Sequence, residues 1–182
     1  MKLILGLGNP GSKYDGTRHN VGFGFLDLLR SDLGLDEFKT KAKLKASVSE
    51  GNINDEKLIL AKPETFMNLS GEALVALKSF YKLDYADILV VYDDYDLPLS
   101  EIRYRDNGSA GTHNGMRSCI ELLGSGDFPR LRIGINPGFP VSDLSNYVLG
   151  RFTDVELPKV RDALDQALHD VKKMLAISGE NE

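Results

Sequence analysis

The sequence feature that most constrains the fold is the run Ile88-Leu89-Val90-Val91, which is aliphatic without interruption. A strand that does not alternate apolar and polar residues is buried on both faces, and this requires helices on both sides of the sheet. Open α/β sheets place their functional sites at the carboxyl ends of such strands. Asp93 and Asp94 follow the run, so we expect them just past the strand end, at the edge that carries the site.

Strands and helices alternate along the rest of the chain. Strands are predicted at residues 2–7, 41–49, 58–60, 102–105 and 131–135, and helices at about 21–33, 69–83, 115–123 and 155–177. Residues 41–60 form a predicted antiparallel hairpin that turns at Gly51-Asn52 and exposes a lysine-rich face. Asn68 is expected to cap the second helix. This order predicts an α/β fold in which a single domain, residues 1–182, contains a twisted, mixed β-sheet flanked by helices.

Composition narrows the class of protein. The 182 residues are 42% hydrophobic, which is enough for one core of ordinary size. Residues 1–6 contain too short an apolar stretch for a secretion signal or a membrane span. Cys119 is the single cysteine, which excludes an intramolecular disulfide and a zinc site built from several thiolates. We therefore expect a cytoplasmic protein that does not associate with membranes.

The charge of the chain limits how it could bind nucleic acid. A net charge of −5 argues against wrapping a long nucleic acid, which needs many phosphate contacts. Positive charge is nevertheless concentrated between residues 103 and 132, which contain Arg103, Arg105, Arg117, Arg130 and Arg132. If the protein binds RNA, we expect binding through a local patch of these cations.

Two segments match the spacing of known motifs but lack features that those motifs need. Gly6-Leu7-Gly8-Asn9-Pro10-Gly11 matches the glycine pattern of a dinucleotide-binding turn, but Pro10 lacks a backbone N–H and the following residues are too polar to begin the required helix. Asp93-Asp94-Tyr95-Asp96 suggests a cation site, yet the glycine and glutamate of a calcium loop are missing. We favour turn or strand-end capping for Asp94 and Asp96. We expect the glycines of residues 6–11 to let the backbone approach a ligand or a neighbouring strand.

Two of the three histidines occupy positions that suit proton transfer. His19 and His113 each stand at the start of a predicted helix and are followed directly by asparagine, whereas His169 lies on the polar side of the last helix. A helix N-terminus disfavours the imidazolium form, which keeps a histidine neutral and able to accept a proton. His19 and His113 are therefore candidates for an acid–base site, and His169 is expected to be solvated.

Asparagines fall at the predicted junctions between strands and helices, at Asn9, Asn20, Asn68 and Asn114. Taken singly, each fits a turn or a helix cap. Together they would line one rim of the sheet with amides, which donate and accept hydrogen bonds without adding charge. Such a rim suits a neutral ester and the ribose and base edges of RNA.

These motifs recur in an order and spacing that match a known family. The matching segments are Gly8-Asn9-Pro10-Gly11 with Tyr14 and Thr17-Arg18-His19-Asn20, Lys62-Pro63 with Thr65-Phe66-Met67-Asn68-Leu69-Ser70-Gly71, Asp93-Asp94 with Asp96-Leu97-Pro98, Gly108-Ser109-Ala110-Gly111 with His113-Asn114-Gly115, and Arg130-Leu131-Arg132-Ile133-Gly134-Ile135. From residue 2 to about residue 152, the chain resembles the bacterial peptidyl-tRNA hydrolase family.

The resemblance implies hydrolysis of the ester between a peptide, or another N-blocked aminoacyl group, and the terminal ribose of tRNA. It implies His19 as the general base, Asp93 as the residue that orients it and stabilises its basic form, and Asn9 as the residue that distinguishes N-blocked substrates. The residues implied to contact the tRNA end are Tyr14, Phe66, Asn68 and Asn114, and those implied to contact phosphates are Arg105 and Arg132. An ester has a competent leaving group, so one positioned base suffices. We expect no metal, no cofactor and a monomer.

The chain departs from the family pattern at several positions. Tyr92 stands where histidine is expected, and Thr112, next to His113, stands where glycine is expected. Further differences occur at Ser100, Asp106, Asn107 and Arg117. The alternatives to an enzyme are a non-catalytic RNA-binding protein on the same scaffold and, more distantly, a nicotinamide-dependent dehydrogenase. A non-catalytic protein has no physical need of both His19 and Asp93, so their presence favours the enzyme.

Overall fold

The aliphatic run 88–91 belongs to an interior strand of a seven-stranded sheet in the computed structural model, which describes residues 1–176. The strands are β1 (Lys2–Gly6), β2 (Lys39–Lys41), β3 (Ala46–Ile53), β4 (Glu56–Pro63), β5 (Ile88–Pro98), β6 (Ile102–Arg105) and β7 (Arg130–Asn136). Their order across the sheet is β2-β3-β4-β1-β5-β7-β6. Strands β4, β1, β5 and β7 are parallel, β3 pairs antiparallel with β2 and β4, and β6 pairs antiparallel with β7. The predicted mixed sheet is confirmed.

Helices cover both faces of this sheet, as the run 88–91 requires. They are α1 (Val21–Asp32), α2 (Ser70–Tyr81), α3 (Asn114–Leu123), α4 (Leu144–Leu149) and α5 (Glu156–Met174). None of the described helices has the length and apolar character needed to cross a membrane. Ile88 and Val90 pack in one apolar core with α2 and α3, whereas Leu89 and Val91 pack in a second core with α1 and α5. The expected single α/β domain is therefore confirmed.

Strand β5 is longer than predicted, so Asp93 and Asp94 lie inside it rather than past its end. The reason is the unequal length of its neighbours. Strand β7 continues to pair with β5 at Asp93 and Asp94, whereas β1 ends at Gly6, opposite Val91. Asp93 therefore lies beyond the end of β1, and the open space above β1 places its side chain at the edge of the sheet.

The predicted hairpin differs in its bounds and its turn. Residues 39–41 form a separate short strand, β2, and β3 begins only at Ala46. The chain reverses at Asn54 and Asp55, with φ angles of 49° and 63°, rather than at Gly51-Asn52. A two-residue hairpin turn needs positive φ, which Asn and Asp tolerate. Residues 58–61 of β4 are buried because β4 also pairs with β1, so the hairpin is less exposed than expected.

Helix boundaries differ from the prediction in two places. Asn68 is exposed and does not cap α2; it lies in the 3₁₀ turn Met67–Leu69, and α2 begins with no side-chain cap. The short helix α4 is absent from the prediction, although Asp143 caps it by accepting a hydrogen bond from the backbone N–H of Asn146. The last helix is predicted to reach Ile177, which lies outside the described residues.

Two glycines allow α1 to lie against the sheet in backbone contact. A Cβ built on Gly6 would meet the carbonyl oxygen of Gly22 at 2.5 Å, and a Cβ built on Gly22 would meet the carbonyl oxygen of Val91 at 2.5 Å. These contacts cannot relax through a change of rotamer, because the opposing atoms belong to the backbone. The close approach expected of Gly6 is made to helix α1 and not to a ligand or a neighbouring strand. This backbone contact fixes the position of the turn before α1, which contains His19.

Gly22→Ala should lower the free energy of unfolding by about 1–3 kcal/mol, because the added methyl group overpacks a backbone contact. Gly24→Ala is the matched control, since it lies in the same helix and nothing lies within 4 Å of its added Cβ. The control should leave stability unchanged or raise it by up to about 1 kcal/mol, because alanine favours a helix more than glycine does. Urea unfolding measures both variants, and equal stabilities would contradict the packing described above.

Candidate functional site

His19 lies in the 3₁₀ turn Arg18–Asn20 at the amino end of α1 and contacts the side chain of Asp93. Its Nδ1 lies 3.0 and 2.8 Å from the two carboxylate oxygens. Because an ionised carboxylate only accepts hydrogen bonds, Nδ1 carries the proton and donates it. The other ring nitrogen, Nε2, then has a free lone pair, and His19 lines a cleft. The pair can therefore serve as a general base and the partner that orients it.

The cleft at His19 lies between β5, the amino end of α3 and helix α4. Its other lining residues are Asp93, Tyr95, Thr112, His113, Asn114, Leu144, Ser145 and Val148. Arg18 anchors α4, because its guanidinium donates to the carbonyl oxygen of Tyr147 at 3.1 Å and pairs with Glu156 at 2.9 Å. The residue before the candidate base therefore also holds the α4 wall of the cleft.

Asp93 is 1% exposed, and burial by itself raises the pKa of its carboxyl group. The imidazoles of His113 and His19 outweigh burial and hold that pKa well below its usual range. Nε2 of His113 lies 2.8 Å from Oδ1, so the carboxylate is contacted from α3 as well as from the turn before α1. Asp93 is therefore a charged and fully paired group at neutral pH, not a proton acceptor.

His19, Asp93 and His113 offer donor atoms that all lie within 4.8 Å of one another, a spacing that could suit a metal ion. The hydrogen bonds favour a different arrangement. Nδ1 of His113 accepts a hydrogen bond from the backbone N–H of Met116 at 3.1 Å, so the proton of the neutral ring is on Nε2, which faces Asp93. A ring nitrogen that carries a proton has no lone pair for a cation. The three side chains therefore form a hydrogen-bond network.

Asn9 is held by its backbone and by one end of its amide. Its backbone N–H donates to the side chain of Asn20 at 2.8 Å, and Asn20 donates back to the Asn9 carbonyl oxygen at 2.9 Å. Oδ1 of Asn9 accepts from the backbone N–H of Met67 at 2.8 Å. Within residues 1–176 no hydrogen bond uses Nδ2, so the end of this amide that remains for a ligand is a donor.

Three of the four residues implied to contact the tRNA end, Tyr14, Phe66 and Asn68, lie on two segments that are joined by the hydrogen bond between Asn9 and Met67, and the fourth, Asn114, begins α3. Phe66 and Asn68 flank Met67, and the rings of Tyr14 and Phe66 meet edge to face with centroids 6.4 Å apart. Phe66 is 56% exposed, which leaves its ring available for stacking. Asn68 and Asn114 line one groove, and Asn114 lines the His19 cleft as well. Of the predicted rim of amides, Asn68 and Asn114 line the groove next to the cleft. The prediction is wrong for Asn20, whose buried side chain is used by its two hydrogen bonds to the Asn9 backbone.

Arg105 and Arg132 line a separate polar pocket together with Arg130, Tyr92 and Asp94. Side chains alternate along a strand, so Tyr92 and Asp94 face this pocket while Asp93, between them, faces the cleft. Arg130 and Arg132 are separated by one residue on β7, so they share one face of that strand, and both line the pocket. The arginines therefore lie near the cleft but outside it.

The three arginines of this pocket differ in what they contact. Arg130 is 1% exposed and donates to the carbonyl oxygens of Ser109 at 3.0 Å and Gly126 at 2.6 Å, so it supports the two loops that flank α3. Nε of Arg132 donates to Asp94 at 2.7 Å. Arg105 is exposed. Asp94 also accepts from the backbone N–H of Asp96 at 2.8 Å, as the predicted capping role requires.

Sequence reasoning left several residues of the cleft unassigned. The sequence makes His113 a candidate for acid–base chemistry without assigning it a role, and the prediction does not include helix α4 or its residues that line the cleft. The signal for α4 was present, since Asp143 is a good helix cap and Leu144, Tyr147 and Val148 follow at helical spacing. His169 is exposed, as expected, and Cys119 is buried.

The fold and the cleft define a single-domain α/β protein with a histidine–aspartate pair at the carboxyl edge of its sheet. Residues 3–181 match the family described as peptidyl-tRNA hydrolase, and the chain belongs to this family. A peptidyl-tRNA hydrolase of Alkaliphilus metalliredigens (strain QYMF) is 51% identical over 176 residues, which cover 96% of this chain and 93% of the relative. One of Thermoanaerobacter sp. (strain X514) is 52% identical over 167 residues, or 92% and 89% of the two chains.

Solved structures agree with this assignment. The crystal structure of peptidyl-tRNA hydrolase from Acinetobacter baumannii at 1.00 Å resolution has a TM-score of 0.88 and 37% sequence identity to this chain. The match covers 94% of this chain and 87% of the crystallised one. The resemblance recognised from the motifs is confirmed at the level of both sequence family and fold.

Asp93→Asn should reduce kcat by about 100-fold, because the amide nitrogen that replaces one oxygen turns a donor toward Nδ1–H of His19 and favours the wrong tautomer. The loss should be smaller than that from deleting the imidazole of His19.

Since the folded-state pKa of Asp93 is lowered, the contribution of Asp93 to stability is present above about pH 4, the ordinary pKa of an aspartate, and is lost as the pH falls further. Unfolding of the wild type and of Asp93→Asn at pH 7 and pH 3 measures this contribution to stability. A collapse of the thermal stability of Asp93→Asn at pH 7 would instead make Asp93 mainly structural.

Proposed function

We propose that this protein hydrolyses the ester between a peptide, or another N-blocked aminoacyl group, and the terminal ribose of tRNA, which frees the tRNA for reuse in translation. Family membership supports the substrate class. The observation that carries the chemistry is the His19–Asp93 pair, in which Nδ1 of His19 is held by a buried carboxylate and Nε2 is left as a proton acceptor at the cleft. In this proposal His19 is the general base and Asp93 keeps it in its basic form and orientation.

The reaction needs one proton shuttle. Nε2 of His19 takes a proton from a water molecule, and the water oxygen forms a bond to the ester carbonyl carbon. The tetrahedral intermediate then expels the ribose oxygen, which takes the proton back from the imidazolium, leaving a peptide carboxylic acid and a tRNA hydroxyl group. The acid ionises in water. Asp93 stays ionised throughout and stabilises the transient imidazolium.

Asn9 can select N-blocked substrates through the donor end of its amide. Because Met67 occupies Oδ1, the free group is Nδ2–H, which can donate to a peptide carbonyl oxygen. A free aminoacyl ester presents an ammonium group instead, and two donors facing each other in a nearly buried position are unfavourable. We propose that this mismatch lowers activity on aminoacyl-tRNA.

The tRNA end and its phosphates would lie on the surfaces beside the cleft. Tyr14 and Phe66 offer aromatic faces and edges to bases, and Asn68 and Asn114 offer amides to base and ribose edges. Arg105 and Arg132 would hold phosphates in the separate arginine pocket. The ion pair with Asp94 uses Nε of Arg132, so the fork of terminal nitrogens can serve a phosphate.

The remaining properties are also proposals. We infer that the enzyme acts without metal or cofactor, since the proton on Nε2 of His113 leaves His19 and Asp93 as a proton-transfer pair. We further propose that it is a cytoplasmic monomer and that the domain extends over residues 1–182. Size-exclusion chromatography coupled to light scattering tests the monomer.

His19→Ala should reduce turnover of N-acetyl-aminoacyl-tRNA by about 10²- to 10⁴-fold, because the base is lost while the surfaces for tRNA remain. Release of tRNA should be measured in EDTA, with free aminoacyl-tRNA as the comparison substrate and His169→Ala as the control. The wild type and the control should cleave only the blocked substrate rapidly. Binding of tRNA without cleavage by the wild type would favour a non-catalytic RNA-binding protein.

Arg105→Ala and Arg132→Ala should each weaken tRNA binding and reduce the slope of log affinity against log salt by about one unit per lost phosphate contact. Arg161→Ala, an exposed arginine on α5, is the matched control. A minimal N-blocked ester that lacks the distant phosphates should be cleaved equally by all four proteins. Equal losses on the minimal ester and on tRNA would assign the arginines to the catalytic centre or to the fold.

A further inference from the structure

We infer that His113 is a positioning residue whose Nε2–H fixes Asp93, and that the amino-terminal cap of α3 sets the tautomer that makes this possible. The inference rests on the proposed function, because it assigns a role in orienting the base His19. His113 contacts the carboxylate and not the reacting atoms, so its effect on the reaction passes through Asp93.

The tautomer of His113 follows from its partner on the helix. His113 is the N-cap residue of α3, and its Nδ1 lies 3.1 Å from the backbone nitrogen of Met116. A peptide N–H can only donate, so Nδ1 must be the unprotonated nitrogen of a neutral imidazole. The proton is then on Nε2, 2.8 Å from Oδ1 of Asp93. One ring thus caps a helix and donates to a buried carboxylate.

Packing prevents this ring from turning. The His113 side chain is 6% exposed, and the ring of buried Tyr92 meets it edge-on with centroids 5.0 Å apart. On another side lies Gly115, where an added Cβ would come within 2.9 Å of Cε1 of His113. Tyr92 stands where the family pattern predicts histidine, and burial, with the charge of Asp94, raises its pKa to about 12. The residue in contact with His113 is therefore a neutral aromatic ring at physiological pH.

The hydrogen bond from His113, the second donor to Asp93, limits both the movement of the carboxylate and its strength as an acceptor. Oδ1 accepts from both His113 and His19, at 2.8 and 3.0 Å, whereas Oδ2 accepts from His19 at 2.8 Å. Both oxygens are fixed, so the carboxylate cannot rotate away from His19. Sharing its charge with two donors also makes Asp93 a poorer acceptor for the Nδ1 proton. His113 cannot replace His19 as the base, because neither of its ring nitrogens has a free lone pair.

The charged and titratable groups around His19 define what a pH profile reports. Asp93 and Tyr95 face the cleft from β5, and His113 faces it from α3. Helix α4 contributes Leu144, Ser145 and Val148, which do not titrate in the working range. Arg18 adjoins His19 in sequence but is turned toward Tyr147 and Glu156. Removing the His113 donor therefore changes the surroundings of His19 through Asp93.

Two substitutions separate the two hydrogen bonds of His113. In His113→Asn the side-chain oxygen can take the place of Nδ1 and cap α3, but the side chain is too short to reach Asp93. In His113→Gln the amide nitrogen can take the place of Nε2 and donate to Asp93, while the cap is lost. His169→Asn is the matched control on the exposed face of α5.

On N-acetyl-aminoacyl-tRNA, His113→Asn should lose about tenfold in kcat, the effect of one lost hydrogen bond to a charged group, and it should also lose thermal stability because the buried carboxylate of Asp93 loses a donor. The acidic limb of its kcat/KM profile should move to higher pH, because Asp93 then stabilises imidazolium at His19 more strongly. His113→Gln should also be less stable than the wild type, because the cap is lost, yet it should be more active than His113→Asn. Wild-type kcat and an unmoved pH profile in His113→Asn, or parallel losses of stability and activity in both variants, would overturn the inference.

A measurement that does not depend on turnover tests the role of His113 separately from the proposed function. The chain has three histidines, so ¹H–¹⁵N correlation spectra of the imidazoles can be assigned by the variants themselves. The wild type should show His113 protonated at Nε2 and His19 protonated at Nδ1 near neutral pH. The His19 signals should change in His113→Asn and stay in place in His169→Asn. A proton on Nδ1 of His113 would overturn the inference even if the enzyme hydrolyses its ester.

Discussion

The buried carboxylate of Asp93 is the group on which the rest of the site depends. It is 1% exposed, and a buried charge is stable only if hydrogen bonds replace the water it has lost. These hydrogen bonds come from two imidazoles, one on the turn before α1 and one at the start of α3, which pack on opposite faces of the sheet. Both helices must therefore be placed correctly before the base is oriented.

The sheet meets this requirement through the unequal lengths of its parallel strands. Strand β1 stops opposite Val91, two residues before Asp93, and the space above its end is where side chains from both helical layers can meet. Backbone contact through Gly6 and Gly22 draws α1 down onto this edge, and the bond from Asn9 to Met67 ties in the loop before α2. The amino ends of α1 and α3 point at the carboxylate, and helix dipoles favour a negative charge there.

Local patterns predicted the elements of the fold well, whereas tertiary pairing decided where they end. The run 88–91 was sufficient to predict a sheet covered on both faces, because all four of its residues are aliphatic and side chains alternate between the two faces of a strand. The extension of β5 through Asp93 depends on β7, which is distant in sequence. The sequence could not predict the contact between His113 and Asp93 either. The tautomer of His113 depends on the N–H of Met116, and its partner Asp93 lies on a strand 20 residues earlier in the chain. His19, Asp93 and Asn9 were recognised because their motifs are local.

Alternation along β5 divides the functional surface between two neighbouring aspartates. Asp93 faces the cleft and holds the imidazoles, while Asp94 faces the arginine pocket and holds Nε of Arg132. A shift of one residue in the pairing of β5 with β7 would exchange these faces and place the wrong carboxylate at His19. In the observed register, Leu89 and Val91 pack in the core with α1 and α5, and Ile88 and Val90 pack in the core with α2 and α3. The pairing of β5 with β7 that builds the sheet thus also keeps the His19 cleft apart from the arginine pocket.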